Sequence, residues 1–361
     1  MSTYSINLPS YTIGVAAYEQ IQEVCPTYGT KVVAIGGKTA ISKAKDLICS
    51  AIKDSELRVL DFVWYGGEAS YENMEALKVL QSVREADMIF AIGGGKVMDT
   101  CKLLARALHK PLFTFPTIAS NCACLTALSV VYYPDGTFRE LNVSDIPPVH
   151  VFIHTQIAVE APKQFLWAGM GDTIAKYYES NLAARNVELE HFNAVGVQLS
   201  RLCANPILEY GMKALKDNEN HVLSKEFEQV VLAIVVSTGL VSNFVESDYN
   251  GHIAHAFYCT ITMLPQIEEK HLHGEVVAYG VLLLLMCDGQ EKELAKVFSF
   301  CRDLGLPTCL ADLDVTLAEL DGVFDETVKS GELTRSPYLV TKEMLYTGVL
   351  KLEEYHEKNC R

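Results

Sequence analysis

A run of three glycines between a strand pattern and a helix pattern is the feature that most constrains this chain. Residues 91–99 read Ala-Ile-Gly-Gly-Gly-Lys-Val-Met-Asp, after an apolar strand pattern at 87–92 and before a helical one at 96–108. Glycines let the backbone approach a ligand, and a helix start offers unpaired N–H groups and a positive dipole end. The stretch predicts a diphosphate-binding loop. The spacing of its glycines matches neither the dinucleotide-binding pattern G-x-G-x-x-G nor the P-loop pattern. The alternative to a phosphate-binding loop is a flexible turn between strand and helix.

Strand and helix patterns alternate through about the first 160 residues. The predicted strands are 31–35, 57–65, 87–92, 111–115 and 149–153, and the predicted helices are 39–52, 71–84 and 96–108. Residues 129–133 and 137–141 are typical of a hairpin around a Pro-Asp-Gly turn. Such alternation predicts a parallel sheet with helices on both faces, whose ligands bind beyond the carboxyl ends of the strands.

The pattern becomes almost entirely helical after Val159, and Pro162 suits a helix start. A chain of 361 residues is long enough for two cores. We therefore predict an α/β dinucleotide-binding domain at 1–160 and an all-helical domain at 161–361, with the cleft between them as the default ligand site.

Net charge and composition disfavour some classes of binding partner. The formal net charge of −15 disfavours nucleic acid and anionic membranes, because both would be repelled. Eleven scattered cysteines without a Cys-x-x-Cys pair indicate reduced thiols. The apolar runs Val230–Val236 and Val276–Met286 are too short to span a bilayer, and the N-terminus does not resemble a signal peptide. We expect a soluble, cytoplasmic protein.

Three polar residues of the helical half have the chemistry of a metal site. They are Asp172 in Gly-Asp-Thr-Ile-Ala-Lys, His255 in Gly-His-Ile-Ala-His, and His273 in His-Leu-His-Gly-Glu. Two neutral imidazoles and one carboxylate suit zinc or ferrous iron and leave positions open for substrate. Taken singly, each has another explanation: a helix cap, a hydrogen-bonded core histidine, and a histidine on a solvated loop.

Several stretches in a fixed order resemble one family. They are Gly-Gly-Gly-Lys-x-x-Asp at 93–99, Pro-Thr-Ile-Ala-Ser at 116–120, Gly-Asp-Thr-Ile-Ala-Lys-Tyr-Tyr-Glu at 171–179, the helix bearing His255, and His-Gly-Glu at 273–275. Together they resemble the iron-containing (group III) alcohol dehydrogenases. Tyr-Gly-Gly-Glu-Ala-Ser at 65–70 is similar to a stretch of the glycerol-dehydrogenase-like branch.

The resemblance implies a Rossmann-like nucleotide-binding domain, a helical domain, and a cofactor that is NAD or NADP. It also implies one divalent metal, zinc or iron, held by Asp172, His255 and His273. Two neighbours, His252 and His271, are less suited as ligands; His252, three residues before His255, is expected to support it from the same helix face. Relatives resembling this chain are commonly homo-oligomers, and a homo-oligomer is expected here.

The glycine loops and the positions that match the family's nucleotide-binding residues give the expected cofactor-binding set. They are Gly37, Lys38, Gly93, Gly94, Gly95, Lys96, Thr117, Ser120, Thr126, Leu128 and Tyr132. Asp99, an acid near the phosphates, is expected to tether neighbouring loops instead. The predicted strand at 31–35 is followed by Gly36-Gly37-Lys38, without the acid that would bind the ribose 2′-hydroxyl of NAD. Without that acid, Lys38 can pair with a 2′-phosphate, so we expect NADP to be accepted; a solvated Lys38 is the alternative.

The implied reaction is hydride transfer between the nicotinamide and the carbinol or carbonyl carbon of a small alcohol, a glycerol-like polyol, or a 2-hydroxy or 2-oxo acid. In the glycerol-dehydrogenase branch an aspartate two residues after Pro-Thr-Ile-Ala-Ser helps hold substrate hydroxyls. This chain has Cys122 there, which removes a hydroxyl acceptor and also a negative charge that would repel an acid. His154 replaces another aspartate of the family and receives no interpretation from the sequence.

Two rival functions use the same motifs. A dehydroquinate-synthase-like cyclase would use NAD only transiently, but the helical half shows no clear lysine- and arginine-rich motif for its phosphorylated substrate. A non-catalytic metal-binding relative would have little need for both a phosphate loop and a full ligand set. The sequence therefore favours the dehydrogenase.

Overall fold

The chain forms two compact units in the computed structural model, which describes residues 4–144 and 146–360. The first unit extends to Pro162 and includes Asp217–Ser224; the second comprises Lys163–Lys216 and the chain from Lys225 onward. We assigned all residues after 160 to the helical domain, but residues 217–224 are grouped with the first unit. Asn218 explains the difference, because its amide nitrogen donates to the carbonyls of Val159 at 2.7 Å and Ala161 at 3.0 Å.

The first unit is built on a parallel six-stranded sheet, as the sequence predicts. Its strand order is β1-β8-β5-β4-β2-β3, and a separate antiparallel hairpin is formed by β6 and β7. The strands are β1 (Ser10–Gly14), β2 (Lys31–Gly36), β3 (Arg58–Trp64), β4 (Met88–Gly93), β5 (Leu112–Pro116), β6 (Ser129–Tyr132), β7 (Phe138–Asn142) and β8 (His150–His154). Its helices are α1 (Ile21–Val24), α2 (Lys38–Ala51), α3 (Tyr71–Lys78), α4 (Gln81–Glu85), α5 (Gly95–Leu108) and α6 (Thr155–Val159).

Aromatic side chains of the central strands form the core of this unit. Phe90, Phe113, Phe115 and Phe152 are fully buried, and the Phe115 and Phe152 rings stack with centroids 5.0 Å apart. Burial on both faces explains why these strands read as continuous apolar runs rather than alternating ones.

The second unit is helical, as the sequence predicts. Its helices are α7 (Lys163–Ala183), α8 (His191–Leu199), α9 (Arg201–Glu219, of which the last turn belongs to the first unit), α10 (Lys225–Leu232), α11 (Thr238–Phe244), α12 (Ile253–Ile261), α13 (Pro265–Lys270), α14 (His273–Cys287), α15 (Glu291–Leu304), α16 (Leu320–Thr327) and α17 (Lys342–Asn359). Short 3₁₀ turns lie at Ala17–Gln20, Pro26–Tyr28, Ser247–Tyr249, Leu310–Leu313, Leu317–Glu319 and Gly331–Leu333, and a π-helical turn at Ala233–Ser237 joins α10 to α11.

The joined helix Lys225–Phe244 is longer than the apolar run seen in the sequence. Its 20 residues are long and apolar enough to cross a membrane by length and composition alone. Because 56% of its most apolar window is buried inside the protein, the segment has the character of a core helix.

Candidate metal centre and nucleotide-binding loops

Asp172, His255 and His273 come together in the helical unit. One oxygen of Asp172, Oδ1, lies 3.1 Å from His273 Nε2 and 3.4 Å from His255 Nε2. Asp172 lies in the middle of α7, so it does not cap a helix; His255 is on α12, and His273 is the first residue of α14. The site opens to solvent on one side, since the His273 side chain is 44% exposed and that of Asp172 only 13%.

Glycines let the helices that carry these ligands approach closely. A Cβ on Gly171 would lie 2.2 Å from the backbone oxygen of Gly274, and one on Gly274 would lie 1.9 Å from that of Ala168. Similarly, a Cβ on Gly280 would lie 2.8 Å from the backbone of Ala254. Each ligand is next in sequence to one of these contacts, so packing of α7, α12 and α14 sets the ligand geometry.

Glu179 orients the His255 ring through Nδ1, the ring nitrogen that does not face Asp172. The sequence alone did not reveal this residue. Its side chain is fully buried two helical turns after Asp172 on α7. Oε2 lies 2.5 Å from His255 Nδ1, while Oε1 accepts the backbone N–H groups of His252 (2.7 Å) and His255 (2.9 Å). With Nδ1 bonded to Glu179, Nε2 is the ring nitrogen that faces Asp172 and is left to bind an ion. The seven-residue spacing from Asp172 was the available signal, because it places both acids on one helix face.

The charges of these groups reinforce one another. Burial alone would raise the pKa of Asp172, but His273 and His255 outweigh it and lower that pKa well below its usual range. Burial would lower the pKa of His255, but Glu179 and Asp172 raise it well above its usual value. The pocket thus has a strong preference for a positive charge between the carboxylates.

The two neighbouring histidines have other roles. His252 lies just before α12 rather than on its face, so our expectation of a shared helix face was wrong. Its ring is fully buried, and among the described residues neither ring nitrogen has a hydrogen-bond partner. His271 Nδ1 lies 2.8 Å from a carboxylate oxygen of Glu275. The support that we assigned to His252 comes from Glu179 instead.

A divalent ion fits this donor set. One ligand atom each from Asp172, His255 and His273 lies within 4.8 Å of the other two. The set is two imidazole nitrogens and a carboxylate oxygen, and the outer nitrogen of His255 already has a carboxylate partner, as metal-binding histidines normally do.

The loops that the sequence predicts to bind the nucleotide lie at the carboxyl edge of the sheet in the α/β unit. Strand β2 has β3 on one side and β4 on the other, so the chain reverses its direction across the sheet between β2 and β4. Open α/β sheets bind ligands at such a point. Gly36 pairs with Ile92 and Gly93 pairs with Pro116, which brings the loops at 36–38, 93–96 and 116–120 side by side.

Close packing requires glycine in the triplet. Gly93 has φ +153°, a conformation that other residues rarely adopt, and a Cβ there would lie 2.8 Å from Val97. A Cβ on Gly94 would lie 2.7 Å from Ile118 Cδ1. Gly95 opens α5, so bare backbone and a helix start meet where the sequence predicts a phosphate site.

Lys96 and Lys38, the two lysines expected to bind the cofactor, each contact another side chain in this structure. Lys96 Nζ lies 2.6 Å from Glu68 Oε2 and 5.4 Å above the Tyr132 ring. Lys38 is the first residue of α2, is exposed, and lies 5.0 Å over the ring of Trp64. Gly37 is the N-cap of the same helix.

Asp99 tethers the following loop through a lysine that the sequence analysis did not single out. Lys102 and Asp99 form a buried ion pair of 2.8 Å, and burial is the main cause that raises the pKa of Asp99. Lys102 also donates to Thr126 Oγ1 at 3.4 Å and to the carbonyl of Leu128. This arrangement agrees with the expected tethering role of Asp99.

The remaining expected residues lie in the segment after β5. The Thr117 N–H donates to the Gly93 carbonyl at 3.1 Å, and Ser120 is half-buried. The carbonyl of Cys122 accepts the Leu125 N–H at 2.9 Å. His154, which the sequence left without a role, caps α6: its Nδ1 accepts the N–H of Ile157 at 3.4 Å.

Comparisons with known proteins agree with the fold. Residues 9–154 match the family described as iron-containing alcohol dehydrogenase. The chain is 35% identical to a glycerol dehydrogenase of Thermotoga maritima over 81% of each chain, and 32% identical to hydroxycarboxylate dehydrogenase A of Escherichia coli over 90% of each. The crystal structure of a glycerol dehydrogenase from Schizosaccharomyces pombe superposes with a TM-score of 0.88, at 25% identity, over 99% of this chain and 92% of that one.

The fold and these similarities define a metal-dependent, nicotinamide-linked oxidoreductase, and the chain belongs to the iron-containing alcohol dehydrogenase family. Within that family it is similar to the glycerol dehydrogenases and to hydroxycarboxylate dehydrogenase A, enzymes that act on CH–OH groups. None of the relatives named here is described as a cyclase or as a non-catalytic protein.

Proposed function

We propose that Asp172, His255 and His273 hold one divalent ion and that the chain transfers a hydride between NAD(P) and a CH–OH or C=O carbon of a small substrate. The observation that carries this proposal is the approach of two imidazole nitrogens to one carboxylate oxygen, at 3.1 and 3.4 Å, with Glu179 fixing the His255 ring. A bound ion supplies Lewis-acid polarisation of the substrate C–O bond.

The chain's own residues position the reactants. Asp172 and the two histidines would supply only three ligands to an ion, and His273 is the most exposed of them, so a substrate oxygen would reach the ion from that side. The rings of Tyr258 and His273 pack edge to face with their centroids 4.2 Å apart, which limits rotation of the His273 ring. Gly93–Gly95 and the start of α5 bind the diphosphate of the nucleotide.

An Asp172→Asn variant tests the assignment. The substitution keeps the size of the side chain but removes the charge, so we expect loss of bound metal and of nicotinamide-linked turnover while the fold is retained. Asp248→Asn is the matched control, because Asp248 pairs with exposed Arg335 and should affect neither. Unchanged metal content and turnover in Asp172→Asn would overturn the assignment. Metal analysis of the purified protein distinguishes zinc from iron.

We propose that the enzyme accepts NADP through Lys38. Support comes from its position at the carboxyl end of β2, where the chain has Gly37 and Lys38 instead of an acid. Lys38→Ala should lower kcat/KM for NADP more than for NAD. A strong preference of the unmodified enzyme for NAD, or an equal effect of the variant on both, would contradict this proposal.

We propose a 2-hydroxy acid, or the corresponding 2-oxo acid, as the preferred substrate class over glycerol-like polyols. Cys122 supports this choice because a thiol in place of an aspartate does not repel a carboxylate. Similarity to hydroxycarboxylate dehydrogenase A points the same way. A panel of 2-oxo acids, polyols and simple alcohols measures the preference, and Cys122→Asp should shift it toward polyols. A preference for glycerol in the unmodified enzyme would refute the choice.

The remaining expectations concern assembly, location and domain limits. We propose a cytoplasmic homo-oligomer with domains divided near residue 160. Exposed apolar side chains on the hairpin, Phe138 at 57% and Leu141 at 49%, support self-association. Analytical ultracentrifugation of the purified chain tests the oligomer, and a monomer would contradict it.

A further inference from the structure

A second group of metal-ligand side chains lies outside the Asp172 centre. Cys309, Asp312 and His356 each offer one ligand atom, and these atoms lie within 4.8 Å of one another. Nothing in the proposed reaction uses them. They differ from an ordinary surface acidic cluster because a thiol and an imidazole accompany the carboxylate.

Local structure holds the first two donors together. Cys309 precedes the 3₁₀ turn Leu310–Leu313, and Asp312 is the third residue of that turn. The Asp312 N–H faces the Cys309 sulfur, and Asp312 Oδ2 accepts the N–H groups of Thr308 at 2.9 Å and Cys309 at 3.2 Å. Together with a bond from Thr308 Oγ1 at 3.4 Å, these bonds fix the orientation of the carboxylate through Oδ2.

The third donor comes from α17, which packs beside this turn. His356 Nδ1 lies 2.9 Å from Thr308 Oγ1, so the turn and the helix are already connected. One helical turn earlier, Glu353 Oε1 accepts the Leu310 N–H at 2.9 Å. The sequence therefore brings the Cys-x-x-Asp pair against a Glu-x-x-His pair, in which Glu353 holds the turn and His356 supplies the third ligand atom.

We propose that Cys309, Asp312 and His356 form a second divalent-metal site of the zinc class. A thiolate with an imidazole favours zinc and similar ions over magnesium or calcium, which prefer oxygen ligands alone. On binding, the Cys309 S–H bond breaks, a sulfur–metal bond forms, and the proton leaves to solvent. Water completes the coordination on the exposed Asp312 side.

The site would join the C-terminal helix to the 3₁₀ turn, so its role is structural rather than catalytic. Cys309 is 6% exposed, which protects a thiolate from exchange, whereas Asp312 is exposed and gives an ion access. An ion there stabilises the folded chain by an amount that rises with the logarithm of its free concentration once that exceeds Kd.

Cobalt(II) is the probe that separates this site from the Asp172 centre. Titration of the full-length Asp172→Asn variant, whose first centre is disabled, should produce a thiolate-to-cobalt charge-transfer band in the near ultraviolet. The Asp172 centre has no sulfur ligand and gives no such band, so the result does not depend on the proposed function.

Single substitutions then assign the band to its ligands. Cys309→Ser should abolish it and lower bound cobalt by one ion per chain. His356→Gln should weaken cobalt binding by more than about tenfold, because loss of even an outer partner typically costs that much. The control Cys360→Ser removes an exposed thiol beyond the end of α17 and should leave the band unchanged.

Three results would overturn the proposal: no band in Asp172→Asn, a band that persists in Cys309→Ser, or one that disappears in Cys360→Ser. Circular dichroism of each variant verifies that it is folded, and His356→Gln, at a half-buried position, keeps the test decisive if Cys309→Ser fails to fold.

Discussion

Replacement of Glu179 by glutamine should weaken metal binding although Glu179 does not contact the ion. The carboxylate accepts three hydrogen bonds: one from His255 Nδ1 at 2.5 Å and two from backbone N–H groups at 2.7 and 2.9 Å. Glutamine has the same shape but only one accepting oxygen. Its NH₂ group must therefore face either His255 Nδ1 or the two backbone donors.

The size of the effect follows from these contacts. A hydrogen bond to a charged acceptor is worth about 1.5–3 kcal/mol, against about 0.5–1.5 for a neutral one. If the amide oxygen stays with the backbone, His255 loses its acceptor and the ring is free to turn or change tautomer. We expect the free energy of metal binding to weaken by about 1.4–2.7 kcal/mol, a 10–100-fold rise in Kd.

Competition with a chromophoric zinc chelator measures this Kd on the full-length chain. Thermal stability of the metal-free protein is less diagnostic, because a buried amide costs less to desolvate than a buried carboxylate. Glu332→Gln is the matched control: its carboxylate packs against Gly251 beside His255 but makes none of the bonds that hold the ring. We expect it to change Kd by less than about twofold.

Two outcomes would refute this reasoning. An unchanged Kd in Glu179→Gln would show that the helices alone orient His255. An equal loss in Glu179→Gln and Glu332→Gln would show that the nearby negative charge matters, rather than the specific hydrogen bond to Nδ1.

Three further predictions use matched pairs or a pH series. Gly274→Ala should lower the free energy of unfolding, measured by urea titration, by about 3 kcal/mol, because the new Cβ would lie 1.9 Å from a backbone oxygen. The control Gly322→Ala, whose Cβ would lie in open space, should raise it by about 0.5–1 kcal/mol. Lys102→Met should lower the free energy of unfolding by about 3–5 kcal/mol, because it leaves the buried carboxylate of Asp99 unpaired. The control Lys329→Met breaks an exposed ion pair of the same spacing and should lower it by less than about 1 kcal/mol. Equal losses in the two variants would contradict the burial argument. Burial lowers the pKa of His150 to about 4, so the unfolded chain binds a proton that the native state does not, and stability falls as pH drops from 6.5 toward 4. His150→Gln should reduce that slope by about 1.4 kcal/mol per pH unit, and an unchanged slope would exclude His150 as its source.

Much of the α/β unit could be predicted because its central strands are short apolar runs, and β2 and β4 end in glycine. The strands and the hairpin lie within a residue or two of their expected bounds. Strand β1 was missed because Ser10–Gly14 lies at the sheet edge, is only partly buried, and is held by its parallel pairing with β8, far away in sequence. The helix expected at 71–84 is two helices, since Leu80 adopts an extended conformation that the apolar periodicity does not reveal.

The candidate ligands could be found from residue type, but their support could not. Asp172, His255 and His273 have recognisable metal-binding chemistry, and the structure places them together. Glu179 looked like one more acid on a long helix, and Lys102 like one more surface lysine. Both roles depend on which distant backbone groups face the side chain, and such pairing is invisible until the helices are assembled.

Ligand chemistry and ligand geometry are encoded by different residues in this chain. Gly171 and Gly274 have no side chain that touches an ion, yet each precedes or follows a ligand, and each makes a contact that any Cβ would prevent. Such glycines require close backbone approach rather than flexibility, because both lie inside regular helices. A sequence with the same acid and histidines but alanine at these positions would keep the donor atoms and lose the distances between them. The pairs Gly-Asp and His-Gly are therefore better evidence for this centre than the three ligands alone.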